Sequence, residues 1–190
     1  MPDPLPRPLP SRRLRRWRSG LALAVALVTL GCAADPAPDT LVPMWSEGRA
    51  PLDGRISPFD TDRSTIAGLD PELRAAVQAA ADDAERDGVT LSVNSGWRSR
   101  AHQQELFAQA VAEHGSEEEA LRWVATPDTS QHVTGDAVDI GPPRAAAWLG
   151  EHGAAYGLCR TFANEAWHFE LATAPGDSCP AMLPDAGSRP

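Results

Sequence analysis

Residues 130–140 read SQHVTGDAVDI, a polar segment followed by a short strand. Residues 136–140 alternate, so that Val138 and Ile140 are expected to face a core while Asp139 faces the opposite side. Residues 126–134 lack apolar periodicity and are predicted to form a loop. The stretch therefore predicts a half-buried strand that carries Asp139, with His132 in the loop before it.

Signals for helices and strands surround this segment. Asp70, Pro71 and Glu72 resemble a capped helix start, and Gly88 is predicted to end that helix. The other predicted elements are a strand at 89–93, a helix from Ser99 to about residue 114, a helix opened by the capping box Ser116 and Glu119, a helix after Pro142 and Pro143, and a strand at 167–171. Helices and strands mix without strict alternation, which predicts an α+β fold with a small antiparallel sheet flanked by helices.

The last predicted strand, WHFEL at 167–171, places His168 and Glu170 on one face. With His132 and Asp139, this strand supplies two imidazoles and a carboxylate. That set suits zinc with one coordination position left open for water. The alternative is a pair of ordinary hydrogen-bonded histidines, since a His and an Asp seven residues apart mean little alone.

The charge of the chain is unevenly distributed. It has 190 residues, including 17 arginines and 26 acidic residues, and its formal net charge is −9. Residues 32–190 keep 11 arginines against 25 acidic residues, a net charge of −14. Because residues 32–190 are this acidic, we expect no basic surface that could bind the phosphates of a nucleic acid. No nucleic-acid partner is therefore expected.

The N-terminal region is typical of an export signal. A basic run at 11–20 and an apolar run at 21–30 precede Gly31 and Cys32. Residues 1–31 are therefore predicted to be a lipoprotein-type signal peptide, with Cys32 as the lipidation site; the pair Arg12 and Arg13 also fits a twin-arginine signal. Residues 32–64, rich in Pro and Asp, predict a flexible tether. We expect a protein of the bacterial cell envelope, anchored to the membrane by its lipid, or otherwise secreted or periplasmic.

Export also bears on the two remaining cysteines. With Cys32 lipidated, Cys159 and Cys179 form an even pair in an oxidising compartment. A disulfide bond between them is the favoured interpretation, and two free buried thiols are the alternative.

Three segments together resemble a known family. SGWRS with a following Gln and Leu (95–106), S-x-H-x2-G-x-A-x-D (130–139) and E-x-W-H (165–168) resemble the VanY-type D-alanyl-D-alanine carboxypeptidases. These belong to a wider group of zinc peptidases that includes lysostaphin-type and hedgehog-type domains. The resemblance covers roughly residues 65–182, and residues 183–190 are predicted to be a disordered tail. Trp97 stands where Tyr is usual and Ala166 where Pro is usual, which is expected to adjust the pocket without removing a ligand.

The resemblance implies a role for each matching residue, with the zinc cleft on the sheet. His132, Asp139 and His168 would bind Zn²⁺, and Glu165 would be the general base. Arg98 would meet the carbonyl or carboxylate of the substrate. The remaining positions of the cleft, expected to bind substrate, are Gln103, Ser130 and Trp167.

The implied function is zinc-dependent removal of the terminal D-Ala from peptidoglycan stem peptides by metal-activated water. One alternative is the same zinc-dependent hydrolysis at a different peptide bond, as in an L,D-carboxypeptidase or an endopeptidase that acts on peptidoglycan peptides. Another is a non-catalytic, zinc-containing lipoprotein that binds the cell wall. A monomer is the expected oligomeric state.

Overall fold

A computed structural model describes residues 55–189. The predicted signal peptide, Cys32 and the first part of the predicted tether lie outside this range. Within it the helices are α1 (Ser64–Ala67), α2 (Pro71–Arg86), α3 (Arg100–His114), α4 (Glu117–Leu121), α5 (Gln131–Thr134) and α6 (Pro143–His152), and the strands are β1 (Ser92–Ser95), β2 (Ala137–Gly141), β3 (Leu158–Arg160) and β4 (His168–Leu171). Between residues 55 and 189, no helix has the length and apolar character that crossing a membrane requires.

The four strands form one antiparallel sheet in the order β1-β2-β4-β3. In the central pair Asp139 lies opposite His168, and Val138 lies opposite Phe169. On the other side of β2, Ser95 of β1 pairs with Asp139. Directly opposed residues bring their side chains close on one face of a sheet. The register alone therefore places Asp139 beside His168. The predicted α+β fold with a small antiparallel sheet is confirmed.

The sheet has an apolar face and a polar face. Val138 and Phe169 are fully buried and belong to a cluster that also contains buried side chains of α2 and α6. The helical members of the cluster are Leu73, Val77, Ala80, Ala81, Ala84, Ala145, Ala146 and Leu149. Because side chains alternate along a strand, Asp139 and His168 project from the opposite face.

Local capping explains where the long helices begin. Asp70 accepts hydrogen bonds from the backbone N–H groups of Glu72 (2.8 Å) and Leu73 (3.2 Å) at the start of α2. Ser99 accepts one from His102 N–H (3.1 Å) at the start of α3. Gly115, with φ of 82°, ends α3 in the left-handed region that favours glycine. These starts, and the end of α3, match the sequence predictions.

One predicted strand was wrong in position, and one strand was not predicted. The strand expected at 89–93 pairs with β2 only from Ser92 onward, although Val89 and Leu91 before it are buried in the core. The alternation of apolar residues at 89–93 indicated which side chains are buried, and it did not indicate where pairing with β2 begins. Strand β3 was not among the predicted elements, because its three residues are too few for a periodic signal.

The expected loop at 126–134 also differs from the structure, because residues 131–134 form the short helix α5. Gly135, with φ of 89°, ends α5 in the left-handed region. Adding a Cβ there would bring it within 2.4 Å of the Gly68 carbonyl oxygen, so the close approach of the two loops requires glycine.

The predicted boundaries of the folded body need correction at both ends. Ile56, placed by sequence in the flexible tether, is buried and forms a β-bridge with Val93. Residues 183–189 are not a disordered tail: Leu183 forms a bridge with Phe162, and Ala186 is buried. Composition predicted the tether, and the tail was predicted for residues beyond the family resemblance, but each segment buries an apolar side chain against the body.

The structure contains the disulfide bond between Cys159 and Cys179, with an S–S distance of 2.00 Å. Cys159 lies in β3, so the bond attaches the residues after 178 to the edge strand of the sheet.

Candidate active site

Two histidines and an aspartate meet on the polar face of the sheet. His132 comes from α5, Asp139 from β2 and His168 from β4, and all three are buried. Asp139 Oδ1 lies 3.4 Å from His132 Nε2 and 3.2 Å from His168 Nδ1. One ligand atom from each residue lies within 4.8 Å of the others, a spacing at which the three could hold one metal ion.

The second nitrogen of each imidazole has its own partner. His132 Nδ1 donates to the carbonyl oxygen of Gly96 at 2.8 Å. His168 Nε2 donates to Glu170 Oε1 at 2.8 Å. Hydrogen bonds of this kind set the tautomer and orientation of metal-binding histidines. They leave His132 Nε2 and His168 Nδ1 as the candidate ligand atoms, and both lie next to Asp139 Oδ1. Two nitrogens and one carboxylate oxygen fit a zinc ion that keeps an open position.

Arg98 holds the aspartate from behind. Its guanidinium donates to Asp139 Oδ2 at 2.8 Å, to Ser95 Oγ at 2.7 Å and to Gln103 Oε1 at 3.2 Å. Gln103 is almost fully buried and donates in turn to the Ala125 carbonyl at 2.8 Å. Sequence reasoning expected Arg98 and Gln103 to face substrate; the structure also shows them bonded to each other and directing Asp139 Oδ1 toward the histidines.

Glu165 lies next to the same group of atoms. Its Oε2 is 3.6 Å from His168 Nδ1, and the side chain is buried. Burial raises the pKa of Glu165 to about 7. A carboxyl group with such a pKa exchanges a proton readily near neutral pH, as a general base must.

The charges of the site favour a bound cation. Burial works against ionisation of Asp139, but contacts with His132, His168 and Arg98 outweigh it and hold the pKa of Asp139 well below its usual range. Burial lowers the pKa of His132. For His168, burial is outweighed by the hydrogen bonds to Asp139 and Glu170, which raise its pKa to about 9. Three acidic residues, Asp139, Glu165 and Glu170, thus lie next to the histidines.

The site opens into a cleft of about 220 Å³. The remaining sequence-predicted residues line it: Ser130 is buried, whereas Trp167 is 44% exposed at the rim. Arg98, Gln103 and Glu165 line it as well. The structure thus brings all eight sequence-predicted residues of the site to one cleft.

Two further residues of the cleft had not been assigned a role from sequence. Glu170 bonds to His168 and also accepts from Arg189. Its pKa is lowered because the hydrogen bonds from His168 and Arg189 outweigh the effect of burial. For Glu170 the sequence did contain a signal, because Glu170 lies on the same strand face as His168. Arg189 had none, since it lies in the segment expected to be disordered.

Comparisons with known proteins point to one family. Residues 67–175 match the family model of VanY, D-alanyl-D-alanine carboxypeptidase. A D-alanyl-D-alanine carboxypeptidase of Enterococcus faecalis is 32% identical over 126 residues, which are 53% of this chain and 47% of that protein. The alignment therefore spans about half the length of this curated relative.

Two of the solved structures that resemble the chain contain a bound ligand or metal. VanYB in complex with D-alanine-D-alanine is 31% identical with a TM-score of 0.51, over 54% of this chain and 70% of that one. A mutant of the vancomycin-resistance D,D-pentapeptidase VanY from a VanB-type cassette, in complex with Zn(II), is 28% identical with a TM-score of 0.52, over 66% of this chain and 87% of that one. Since the family match alone covers more than half of the residues, the chain belongs to the VanY family of D-alanyl-D-alanine carboxypeptidases.

Proposed function

We propose that this protein is a zinc-dependent D,D-carboxypeptidase that removes the terminal D-Ala from peptidoglycan stem peptides. The observation that carries the proposal is the buried group of His132, Asp139 and His168, whose candidate ligand atoms lie within 4.8 Å of one another beside Glu165. A purely structural metal site needs no neighbouring base. The solved relatives were captured with D-alanine-D-alanine and with Zn(II), which supports both the substrate class and the metal.

The three ligands would hold zinc through His132 Nε2, Asp139 Oδ1 and His168 Nδ1. Zinc, when bound, supplies a Lewis acid that polarises the scissile carbonyl and makes water more acidic. Asp139 keeps its ligand oxygen turned inward because Arg98 occupies its other oxygen.

The protein's own groups would then move the proton and orient the peptide. Glu165 accepts a proton from the attacking water and passes it to the leaving amine of D-Ala. A guanidinium has five N–H groups, and three of those of Arg98 contact residues within 55–189, which leaves two for a substrate oxygen. Ser130 and the exposed Trp167 complete the wall against which the peptide would lie.

The decisive experiment compares Glu165→Gln with the wild-type protein on a pentapeptide ending in D-Ala-D-Ala. Removal of a general base is expected to lower kcat by about 10²- to 10⁴-fold, with zinc content by elemental analysis unchanged. Glu113→Gln, at an exposed position of α3, is the matched control and should retain activity. D-Ala release that persists in Glu165→Gln would refute the assigned base.

The wild-type protein also separates the competing functions. Chelator-sensitive release of D-Ala from the pentapeptide supports the proposal. Release from tetrapeptides alone would indicate an L,D-carboxypeptidase, and cleavage of cross-linked dimers an endopeptidase. Zinc binding and tight binding to sacculi without any cleavage would favour a wall-binding role.

We further propose that the protein works as a monomer, attached to a bacterial membrane by lipid at Cys32. The proposal rests on the basic and apolar runs before Gly31. Radiolabelled palmitate should enter the wild-type protein and not Cys32→Ser, and the variant should move to the soluble fraction. Equal labelling of both proteins would refute lipidation at this residue. Light scattering of the body should give the mass of one chain.

A further inference from the structure

Residues 179–189, hereafter the 179–189 segment, run from the edge of the sheet back to the metal-binding cleft. The segment starts at the disulfide bond to Cys159. Leu183 then donates to the Thr161 carbonyl at 2.9 Å and accepts from Ala163 N–H at 2.8 Å. Ala186, next along the segment, is buried. These attachments fix the path of the backbone that leads to Arg189.

Arg189 enters the wall of the cleft through two contacts. Its guanidinium donates to Glu170 Oε1 at 2.5 Å. It also lies over the ring of Phe162, with Cζ 5.3 Å from the ring centroid, within the range of a cation–π interaction. The Phe162 ring in turn lies 5.0 Å from the His168 ring.

The same oxygen of Glu170 joins Arg189 to the metal-binding histidine. Glu170 Oε1 accepts from Arg189 and, at 2.8 Å, from His168 Nε2. Hydrogen bonds between ionised groups are about twice as strong as neutral ones. Without Arg189, the Glu170 carboxylate loses one of its two hydrogen-bond donors and is free to turn away from His168. The His168 ring then loses the contact that reserves Nδ1 for the metal.

We infer that Arg189 is a positioning residue of the metal site, which holds Glu170 so that His168 presents Nδ1 toward Asp139. The inference rests on the proposed zinc site and goes beyond it, since Arg189 touches neither the ligand atoms nor the base. It also gives the 179–189 segment a function: the segment carries Arg189 from the sheet edge to the cleft.

The test measures zinc affinity by competition with a chromogenic chelator, so that it does not depend on turnover. Loss of an outer hydrogen-bond partner of a metal-binding histidine costs about 10- to 100-fold in affinity. Arg189 contacts Glu170 and not the histidine itself. Arg189→Ala is therefore expected to weaken zinc binding by about tenfold, at the lower end of that range. Arg189→Lys keeps the positive charge and should restore most of the affinity.

Two further variants separate positioning from a general loss of structure. Ser188→Ala removes the neighbouring hydroxyl, which donates to Asp185 at 2.9 Å, and should leave zinc affinity unchanged. In the background of Glu170→Ala, Arg189→Ala should have little additional effect, because residues that act through one contact are not additive. Circular dichroism at increasing temperature checks that each variant is folded when zinc is titrated.

Each outcome supports or overturns the inference. A selective loss in Arg189→Ala, rescued by Lys and absent in the Glu170→Ala background, supports it. Unchanged zinc affinity in Arg189→Ala, or a full additional loss in the Glu170→Ala background, overturns it and leaves the proposed function intact. A wild-type protein that binds no zinc would overturn the proposed function as well.

Discussion

Replacing Arg98 with alanine tests how the buried carboxylate of the site is stabilised. The side chains of Arg98 and Asp139 are 17% and 10% exposed and meet at 2.8 Å. The replacement would leave Asp139 Oδ2 buried without its cationic partner. Ser95 and Gln103 would lose a donor at the same time.

The magnitude follows from the burial of this pair. Removing one partner of a buried ion pair costs about 3–5 kcal/mol, because the other charge stays out of water. Two features favour the lower end: Arg98 keeps some exposure, and His168, whose pKa is raised to about 9, remains in contact with Asp139 Oδ1. The metal-free protein should therefore lose about 3 kcal/mol of unfolding free energy. With a urea m-value of about 2 kcal/mol/M, the midpoint should fall by about 1.5 M. Zinc should reduce the loss, since a bound cation compensates the same carboxylate.

Urea unfolding followed by tryptophan fluorescence measures the unfolding free energy and the midpoint. It is carried out once with chelator and once with excess zinc. Arg100→Ala is the matched control, since its partner Asp128 lies 2.5 Å away but the two side chains are 61% and 79% exposed. Exposed pairs contribute about 0–1 kcal/mol. Equal losses for Arg98→Ala and Arg100→Ala would refute the reasoning, as would a loss for Arg98→Ala that zinc does not reduce.

Three further predictions concern the disulfide bond, the metal and the core. Cys159→Ser combined with Cys179→Ser should cost about 3 kcal/mol by the chain-entropy estimate for a sequence separation of 20; calorimetry with and without reductant measures it, and a loss below about 1 kcal/mol would contradict the estimate. Because the pKa of His168 is raised to about 9 in the metal-free protein, zinc must displace a proton below that pH. Zinc affinity should therefore rise with pH up to about 9, and calorimetric titration in buffers of different ionisation enthalpy should show proton release; a pH-independent affinity would contradict this. Phe169→Ala, at a fully buried position, should cost about 3–5 kcal/mol in urea unfolding, and a loss under about 1 kcal/mol would show that the neighbouring helices collapse onto the space.

Much of the local structure was predictable because its causes are local. The caps Asp70 and Ser99 act within three residues of the helix starts that they stabilise. Alternation in residues 136–140 correctly assigned Val138 to the core and Asp139 to the other face. The start of β1 was predicted three residues too early, since strand pairing depends on where β2 lies and not on alternation alone.

The sequence by itself determined which residue types reach the site: three short segments contain the histidines, the carboxylates and Arg98. Only the tertiary structure decided how they act on one another. The β2–β4 register places Asp139 opposite His168. Hydrogen bonds to Gly96 and Glu170 determine which nitrogen of His132 and of His168 faces Asp139. Arg189 joins them only because the disulfide bond and the burial of Ala186 turn its segment back toward the sheet. Contacts between residues distant in the chain depend on the packed fold, and the local sequence of residues 183–190, which were predicted to be disordered, contains no information on that path.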